Sequence, residues 1–170
     1  AASDVYKRQY LDIIYKKTAC LIGVSASAGA MAVGASQQKV ALMRRFGEAV
    51  GMAFQIQDDI LDYTRTAHTG KPANNDLREG KITLPLLAVL DKAPAERRTE
   101  LLGRLACCHD DEESVEYLQR TVENEGGLTF AAEVMRSYIA RAVEMLSEYE
   151  ASDYRTALAN LCAYIAERDR

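Results

Sequence analysis

The sequence Phe54-Gln55-Ile56-Gln57-Asp58-Asp59-Ile60-Leu61-Asp62 places three carboxylates inside an apolar run with no helix breaker from Met52 to Thr64. On an α-helix, Asp58 and Asp62 stand one above the other, and Asp59 lies about 100° further round. All three side chains can project from the same side of the helix, where their like charges repel one another. No Lys or Arg alternates with them to offset this repulsion. The stretch therefore predicts a helix whose carboxylates need a cation.

Two interpretations of this D-D-x-x-D pattern stay open on the residues alone. Aspartates that face solvent would form an acidic surface patch without a ligand. The apolar neighbours Phe54, Ile56 and Ile60 instead favour a cleft. Hard oxygen ligands suit Mg²⁺, which binds through one or two carboxylates plus ligand phosphates. The second interpretation predicts an Mg²⁺ site that holds a diphosphate.

A diphosphate requires cationic side chains, and the sequence offers three of them. Lys17 lies on the predicted first helix, and Lys71 and Lys81 follow the aspartate helix. The alternative for each of them is a solvated surface lysine. Lys17 precedes Thr18 on an apolar helix, and Lys71 and Lys81 flank Asp76 in a segment rich in turn formers. Together they form a candidate phosphate-binding set.

Composition excludes several classes of protein. The chain of 170 residues is 48% hydrophobic and 27% charged, as ordinary globular domains are. Its net charge of -4 gives no basic footprint, so we expect no nucleic-acid partner. The four cysteines contain no C-x-x-C pair and fit reduced thiols of a cytoplasmic protein. The uncharged run 19–35 is too short and too weakly apolar for a membrane span.

Apolar residues recur at spacings of three and four along the chain, and no stretch alternates with period two. This predicts an all-α fold of roughly six to eight helices. Residues 1–9 have no clear apolar period and are interpreted as a non-native or disordered lead, with the domain over 10–170. The predicted helices cover about 10–33, 38–63, a segment opened by Thr83-Leu84-Pro85, 96–107, 112–123, 128–149 and a last one capped by Ser152-Asp153.

Two further features carry expectations of their own. The segment from Thr64 to Lys81 has too many turn formers for a helix and is predicted to be a long functional loop. The small residues from Gly23 to Ala30 permit a close approach to the helix backbone, either by neighbouring helices or by a ligand.

Three blocks resemble, in order and spacing, the C-terminal half of the trans-isoprenyl diphosphate synthases, the polyprenyl synthetase family. The resemblance covers nearly everything from Tyr10 to Arg170 and is nearest to the long-chain bacterial members. The blocks are Lys17-Thr18-Ala19, the stretch from Phe54 to Asp62, and Gly70-Lys71-Pro72 with Asp76-Leu77-Arg78-Glu79-Gly80-Lys81-Ile82-Thr83-Leu84-Pro85-Leu86.

This resemblance implies a partial helical bundle of the isoprenoid synthase type. The implied activity is an Mg²⁺-dependent prenyltransferase that condenses an allylic prenyl diphosphate with isopentenyl diphosphate and releases diphosphate. Asp58, Asp59 and Asp62 would be the second aspartate-rich motif and hold Mg²⁺, with Asp58 the most direct ligand. A homodimer or heterodimer is implied for the full-length protein.

The resemblance also implies roles for the other candidate residues. Lys17, Lys71 and Lys81 would neutralise the allylic diphosphate. Thr18 and Gln55 would sit beside the allylic carbon where positive charge develops, so Lys17, Thr18 and Gln55 form the expected catalytic set. Phe54 would help to wall the isopentenyl diphosphate site. Asn74 stands where many relatives have glycine, and since Asn tolerates the left-handed region we expect the loop to keep its conformation.

Some of the family's features are absent from this sequence. It contains no second D-D-x-x-D, no arginine pair after one, and no upstream segment for isopentenyl diphosphate. In the family all three precede the position of Tyr10, so the chain is interpreted as a fragment that is inactive alone, and product length cannot be read from it. The alternative is a non-catalytic helical subunit or interaction module that supports a catalytic prenyltransferase partner.

Overall fold

The computed structural model describes residues 2–64 and 73–168, with side chains from Val5 onward. Within these residues the regular elements are helices and no strand occurs, which confirms the all-α prediction. In chain order they are α1 (Ala2–Ile14), a π-helical segment (Tyr15–Ala19), α2 (Cys20–Ala32), α3 (Gln37–Thr64), α4 (Asn75–Arg78), α5 (Leu84–Lys92), α6 (Ala95–Cys107), α7 (Glu112–Asn124), α8 (Gly127–Leu146) and α9 (Asp153–Glu167).

The chain divides into two compact units. The described part of the first unit comprises residues 2–10, 58–64 and 73–132, and that of the second comprises 11–57 and 133–168. The backbone passes from one unit to the other within α1, α3 and α8. Each unit has its own buried apolar residues.

The first unit is built around α5. Every residue from Leu84 to Leu90 is buried, as expected for a helix that is apolar on all sides. Helix α7 contributes an apolar stripe at helical spacing to the same core. The core residues of this unit are Tyr63, Leu77, Leu86, Val89, Leu90, Ala93, Leu101, Leu105, Cys108, Val115, Leu118 and Val122.

In the second unit the π-helical segment and α2 approach α3 at backbone distance. A Cβ added at Gly51 would lie 2.5 Å from the Ala19 Cα, and one added at Gly47 would lie 2.7 Å from the Ile22 carbonyl oxygen. At Gly23 an added Cβ would lie 2.5 Å from the Glu48 Cγ. Of the small residues from Gly23 to Ala30, Gly23 therefore serves close packing of α2 against α3.

Helix α1 differs from the prediction because it begins at Ala2. Residues 2–9 are helical although they carry no apolar period. Tertiary contacts explain this: the Lys7 Nζ lies 5.0 Å from the centre of the Phe130 ring, and Tyr10 is buried. The interpretation of residues 1–9 as a non-native or disordered lead stays a prediction.

Two other local features were not predicted from the sequence, whereas the predicted starts of α5 and α9 were confirmed. The segment predicted as loop contains the short helix α4, and the first predicted helix is interrupted by the π-helical segment. Helix α8 begins beside Gly126, whose φ is +78°. The Ser152 hydroxyl accepts a hydrogen bond from the Arg155 N–H and caps α9, and Thr83 precedes α5.

In the described ranges, no helix combines the length and apolar character needed to cross a membrane.

Candidate functional site

The three aspartates lie on the last part of α3, in the first unit. Asp59 and Asp62 are each only 5% exposed, whereas Asp58 is half-buried. Burying an ionised carboxylate is costly unless donors or cations compensate for the lost water. The two buried aspartates are each met by a donor from outside the helix.

Asp59 is held by Tyr10. The Tyr10 hydroxyl donates a hydrogen bond of 2.6 Å to Asp59 Oδ2, and both side chains are buried. Tyr10 belongs to α1, 49 positions away along the chain. The contact therefore fixes a side chain of α3 from a separate helix.

Asp62 is held by the segment that follows the aspartate helix. The Asp76 N–H donates to Asp62 Oδ2 at 2.9 Å, and the Asn74 N–H donates to the Asp62 carbonyl oxygen at 2.8 Å. Asn74 has φ 60° and ψ 33°, so it adopts the left-handed conformation that Asn tolerates. Its Nδ2 donates to Gln119 Oε1 at 2.8 Å, which attaches this segment to α7.

Lys81 is the described lysine of the first unit that was predicted to meet a diphosphate. It forms ion pairs with Glu79 and with Asp76, the latter at 3.4 Å, and its side chain is 54% exposed. The contact with Glu79, followed by that with Asp76, raises the pKa of Lys81. Lys71, predicted for the same role, lies outside the described residues.

The carboxylates impose a negative potential on a buried tyrosine. Burial raises the pKa of Tyr63; the neighbouring Thr83 hydroxyl opposes the rise, and the charges of Asp76, Asp62 and Asp59 add to it. The hydroxyls of Tyr63 and Thr83 make no geometrically sound hydrogen bond within the described residues.

This donor set fits a metal that is only partly held by protein. Over residues 2–64 and 73–168, no group of three or more His, Cys, Asp or Glu side chains is placed so that it could hold a metal ion by itself. Mg²⁺ keeps several waters and binds through one or two carboxylates plus substrate phosphates. Half-buried Asp58, on the same helix as the two anchored aspartates, offers hard oxygen atoms of that kind.

In the second unit, Lys17 and Thr18 lie in the π-helical segment. The Cys20 N–H donates to the Tyr15 carbonyl oxygen, five residues back. Such wide turns are frequent at functional sites. Lys16 pairs with Asp12 at 2.6 Å, whereas the exposed Lys17 forms no ion pair with any residue that the structure describes.

Two predicted catalytic residues meet in this unit. The Thr18 hydroxyl donates to Gln55 Oε1 at 3.0 Å, and Gln55 is 5% exposed. Phe54, predicted to wall the isopentenyl diphosphate site, also lies on α3, and the Arg168 guanidinium is 4.5 Å from the centre of its ring. The Gln57 side-chain amide donates to the Arg168 carbonyl oxygen at 2.7 Å, so the end of the chain is fixed to α3.

A second hydrogen-bonded group supports the π-helical segment. The Tyr15 hydroxyl and the Arg44 Nε both donate to Glu48 Oε1 at 3.0 Å. The hydrogen bond to Glu48 raises the pKa of Tyr15, and Arg44 opposes this. Glu48 therefore connects the segment to α3.

Sequence reasoning missed three of these supporting groups: Tyr10, the Asp76 N–H and Gln119. They act through contacts between distant parts of the chain, and no spacing pattern relates their positions to the aspartates. The only signal for Tyr10 was its place at the start of the first apolar stripe.

Comparison with known proteins gives a consistent result. The family model described as Polyprenyl synthetase matches residues 1–124. The short chain isoprenyl diphosphate synthase of Methanothermobacter thermautotrophicus is 36% identical over 167 residues, which are 98% of this chain and 51% of that protein. Heptaprenyl diphosphate synthase component 2 of Bacillus subtilis is 35% identical over 162 residues, covering 95% of this chain and 45% of that protein.

Solved structures agree with the curated relatives. A polyprenyl synthase from Caulobacter crescentus CB15, in complex with calcium and isoprenyl diphosphate, superposes with a TM-score of 0.86 at 33% identity, covering 95% of this chain and 49% of that one. A decaprenyl diphosphate synthase from Rhodobacter capsulatus gives a TM-score of 0.86 at 28% identity, with 96% and 51% coverage. The chain spans about half the length of the relatives that it matches.

Proposed function

Because the chain belongs to the polyprenyl synthetase family, we propose that it carries the second aspartate-rich motif of a prenyltransferase. The proposed reaction joins an allylic prenyl diphosphate to isopentenyl diphosphate, with release of diphosphate and a longer polyprenyl diphosphate as product. The observation that carries this proposal is the anchoring of Asp59 by Tyr10 and of Asp62 by the Asp76 N–H. A merely solvated acidic patch needs no buried, fixed carboxylates.

Asp58, Asp59 and Asp62 are the residues that would hold the metal, with Asp58 as the most direct ligand. Mg²⁺, when bound, supplies positive charge that stabilises the leaving diphosphate. The chain's own contribution is to hold the carboxylates in fixed positions, so that little reorganisation is needed when charge develops. A divalent ion is supported by the Caulobacter crescentus complex, which contains calcium.

The proposed roles of the remaining residues follow from their chemistry. Lys17, Lys71 and Lys81 are cations for a diphosphate, and Lys17 forms no ion pair with any described residue that would compete with this role. The Thr18 and Gln55 oxygens carry partial negative charge suited to an allylic cation, and their mutual hydrogen bond fixes both side chains. Phe54 is proposed as an apolar wall that keeps water from the isopentenyl diphosphate site.

The proposed assembly is a homodimer or a heterodimer in the cytoplasm. The four cysteines are free thiols, as a reducing compartment requires. One relative is named component 2 of heptaprenyl diphosphate synthase, and this name supports an assembly of two different subunits. The second candidate function, a non-catalytic subunit that supports a catalytic partner, rests on the same name.

Turnover assays separate the two candidate functions. The chain would be fused to the part of the synthase that its relatives contain and that this chain does not cover. The fusion would then be supplied with Mg²⁺, an allylic diphosphate and isopentenyl diphosphate. We expect chain-elongated product, with losses of at least about 100-fold in Asp58→Ala and in Lys17→Ala. Asp110→Ala, which removes an exposed carboxylate from the link before α7, is the matched control and should keep its rate. Full activity in both test variants would contradict the proposal and favour the non-catalytic subunit.

The 170-residue chain by itself is proposed to lack synthase activity. Its sequence contains a single D-D-x-x-D, whereas the proposed chemistry uses a metal site built from two. Formation of any Mg²⁺-dependent product by this chain alone would overturn that part of the proposal.

A further inference from the structure

Tyr10 on α1 and Asp59 on α3 form a buried side-chain contact. The Tyr10 side chain is 7% exposed and that of Asp59 is 5% exposed, and the hydroxyl lies 2.6 Å from Asp59 Oδ2. We infer that Tyr10 is a positioning residue of the metal site, which acts on the divalent cation through Asp59. This inference rests on the proposed function and adds a residue to it that lies on a different helix from the aspartates.

The length of the hydrogen bond indicates its kind. Bonds from a hydroxyl to an ionised carboxylate are typically 2.5–2.7 Å long and are about twice as strong as neutral ones. Asp59 lies next to Asp58 and on the same helix as Asp62. A negative charge there is unfavourable for two reasons: the neighbouring carboxylates carry the same charge, and the side chain is buried. A donor fixed in the core compensates for the water that the buried carboxylate has lost and sets its orientation.

Outer donors of this kind control metal affinity. Groups that hydrogen bond to metal-binding carboxylates orient them, and removing one typically lowers metal affinity 10–100-fold. Asp62 has a backbone donor, the Asp76 N–H, which a substitution of Asp76 would leave in place. The donor to Asp59 is a side chain, so a single substitution removes it.

A second buried tyrosine provides the matched control. Tyr63 is 1% exposed and belongs to the same unit, yet its hydroxyl makes no sound hydrogen bond to any described residue. Tyr10→Phe and Tyr63→Phe remove the same atom from similarly buried positions. Only the first removes a bond to a metal-binding carboxylate.

The test is a titration of the 170-residue chain with Mn²⁺ in the presence of inorganic diphosphate, followed by electron paramagnetic resonance of the free ion. Circular dichroism would fix a temperature at which every variant is folded. We expect Tyr10→Phe to bind Mn²⁺ at least about tenfold more weakly than wild type, and Tyr63→Phe to bind it as wild type does. In an Asp59→Ala background, Tyr10→Phe should cause no further loss, because the acceptor of its hydrogen bond is gone.

Different failures have different meanings. A wild-type chain that binds no Mn²⁺ under these conditions would contradict the proposed metal site and this inference with it. Binding by wild type that Tyr10→Phe leaves unchanged would contradict the inference alone. An equal loss in the Asp59→Ala background would show that Tyr10 acts through general stability and would also overturn the inference.

A second measurement needs no variant and so does not depend on folding of Tyr10→Phe. The ¹³Cζ resonance of Tyr10 reports on its hydrogen bond to Asp59. On addition of Mg²⁺ and diphosphate this signal should shift, while that of Tyr117, which donates to Glu100 at 2.7 Å instead, should stay. A Tyr10 resonance that is unchanged at saturating Mg²⁺ and diphosphate would contradict the inference.

Discussion

At the residue scale, the acidic cluster depends on the backbone conformation of Asn74. This residue is buried with φ 60°, its N–H holds the Asp62 carbonyl oxygen, and its side chain bonds to Gln119. Left-handed conformation is costly for most residues, less so for Asn, and free of steric cost for Gly. The conformation was predictable because it depends on one residue type. The bond to Gln119 was not, because it joins positions 45 apart.

Substitutions at Asn74 separate these two contributions. Asn74→Gly loses the hydrogen bond to Gln119 but keeps an easy left-handed backbone, so we expect a loss of about 1 kcal/mol in the free energy of unfolding. Asn74→Ala loses the bond and adds backbone strain, for a total of about 2 kcal/mol. Urea denaturation measures both. Equal losses for Gly and Ala would show that the left-handed conformation contributes nothing.

The same scale explains why the site was only partly predictable. Asp58, Asp59 and Asp62 follow from helical spacing, and the contact between Thr18 and Gln55 agrees with the roles that the family resemblance implied for them. Tyr10 has no such signal. Its contact with Asp59 depends on how α1 packs, and packing over 49 positions leaves no pattern in a single sequence.

At the element scale, the contact between the π-helical segment and α3 controls where Lys17 and Thr18 lie. Helix bounds were predicted to within a few residues for most elements because apolar spacing and turn residues determine them. The wide turn at Tyr15–Ala19 was not, since nothing in Tyr-Lys-Lys-Thr-Ala distinguishes a π-helix from an α-helix. Its position coincides with the close approach of Ala19 to Gly51.

Gly51→Ala tests that contact. The new methyl group would lie 2.5 Å from the Ala19 Cα, a backbone atom that cannot move alone. Overpacking of this kind destabilises by about 1–3 kcal/mol. Gly29→Ala on α2 is the control, because a Cβ there meets nothing within 4 Å and should stabilise the helix by about 0.5–1 kcal/mol. Thermal unfolding of both variants distinguishes them, and a Gly51→Ala variant as stable as wild type would refute the close contact.

The contact between Arg78 and Glu112, at the start of α7, predicts that the stability of the fold depends on pH. Arg78 donates to Glu112 through two hydrogen bonds of 2.7 and 2.8 Å, and this contact lowers the pKa of Glu112 below its ordinary value of 4.5. A lowered pKa in the folded state means that the pair stabilises the fold above the pKa of the unfolded chain. That contribution is lost as the pH falls through the folded-state value.

We therefore expect the unfolding temperature of wild type to fall more steeply below pH 4.5 than that of Glu112→Gln. Glu96→Gln, which changes an exposed acid on α6, is the control and should follow wild type. Differential scanning calorimetry between pH 3 and pH 7 measures the curves. Parallel curves for wild type and Glu112→Gln would contradict a stabilising role for the Arg78 contact.

At the scale of the whole molecule, the chain spans about half of each relative and leaves large apolar side chains in water. Leu21 is 69% exposed, Met31 is 64% exposed and Val33 is 82% exposed, all on or directly after α2. Exposed apolar residues that lie close together favour association. The fold class and the family were predictable from the sequence, because repeated helical spacing and three motif blocks extend over most of its length.

We expect the 170-residue chain to associate as its concentration rises, because association removes these side chains from water. A Leu21→Glu/Met31→Glu double variant should associate less. Tyr154→Glu is the control, since Tyr154 is 85% exposed on α9, away from this stretch of sequence. Sedimentation velocity over a range of concentrations measures the effect, and a wild-type chain that stays monomeric throughout would contradict it.

The most direct test of the central claim is Mg²⁺-dependent binding of inorganic diphosphate, followed by ³¹P NMR. The account predicts that wild type binds diphosphate only with Mg²⁺ present, and that Asp58→Asn loses this binding. Asp110→Asn, which removes the same charge from an exposed link, should bind as wild type does. Diphosphate binding that persists without Mg²⁺, or that survives Asp58→Asn unchanged, would contradict the proposal that these aspartates hold a metal ion against a diphosphate.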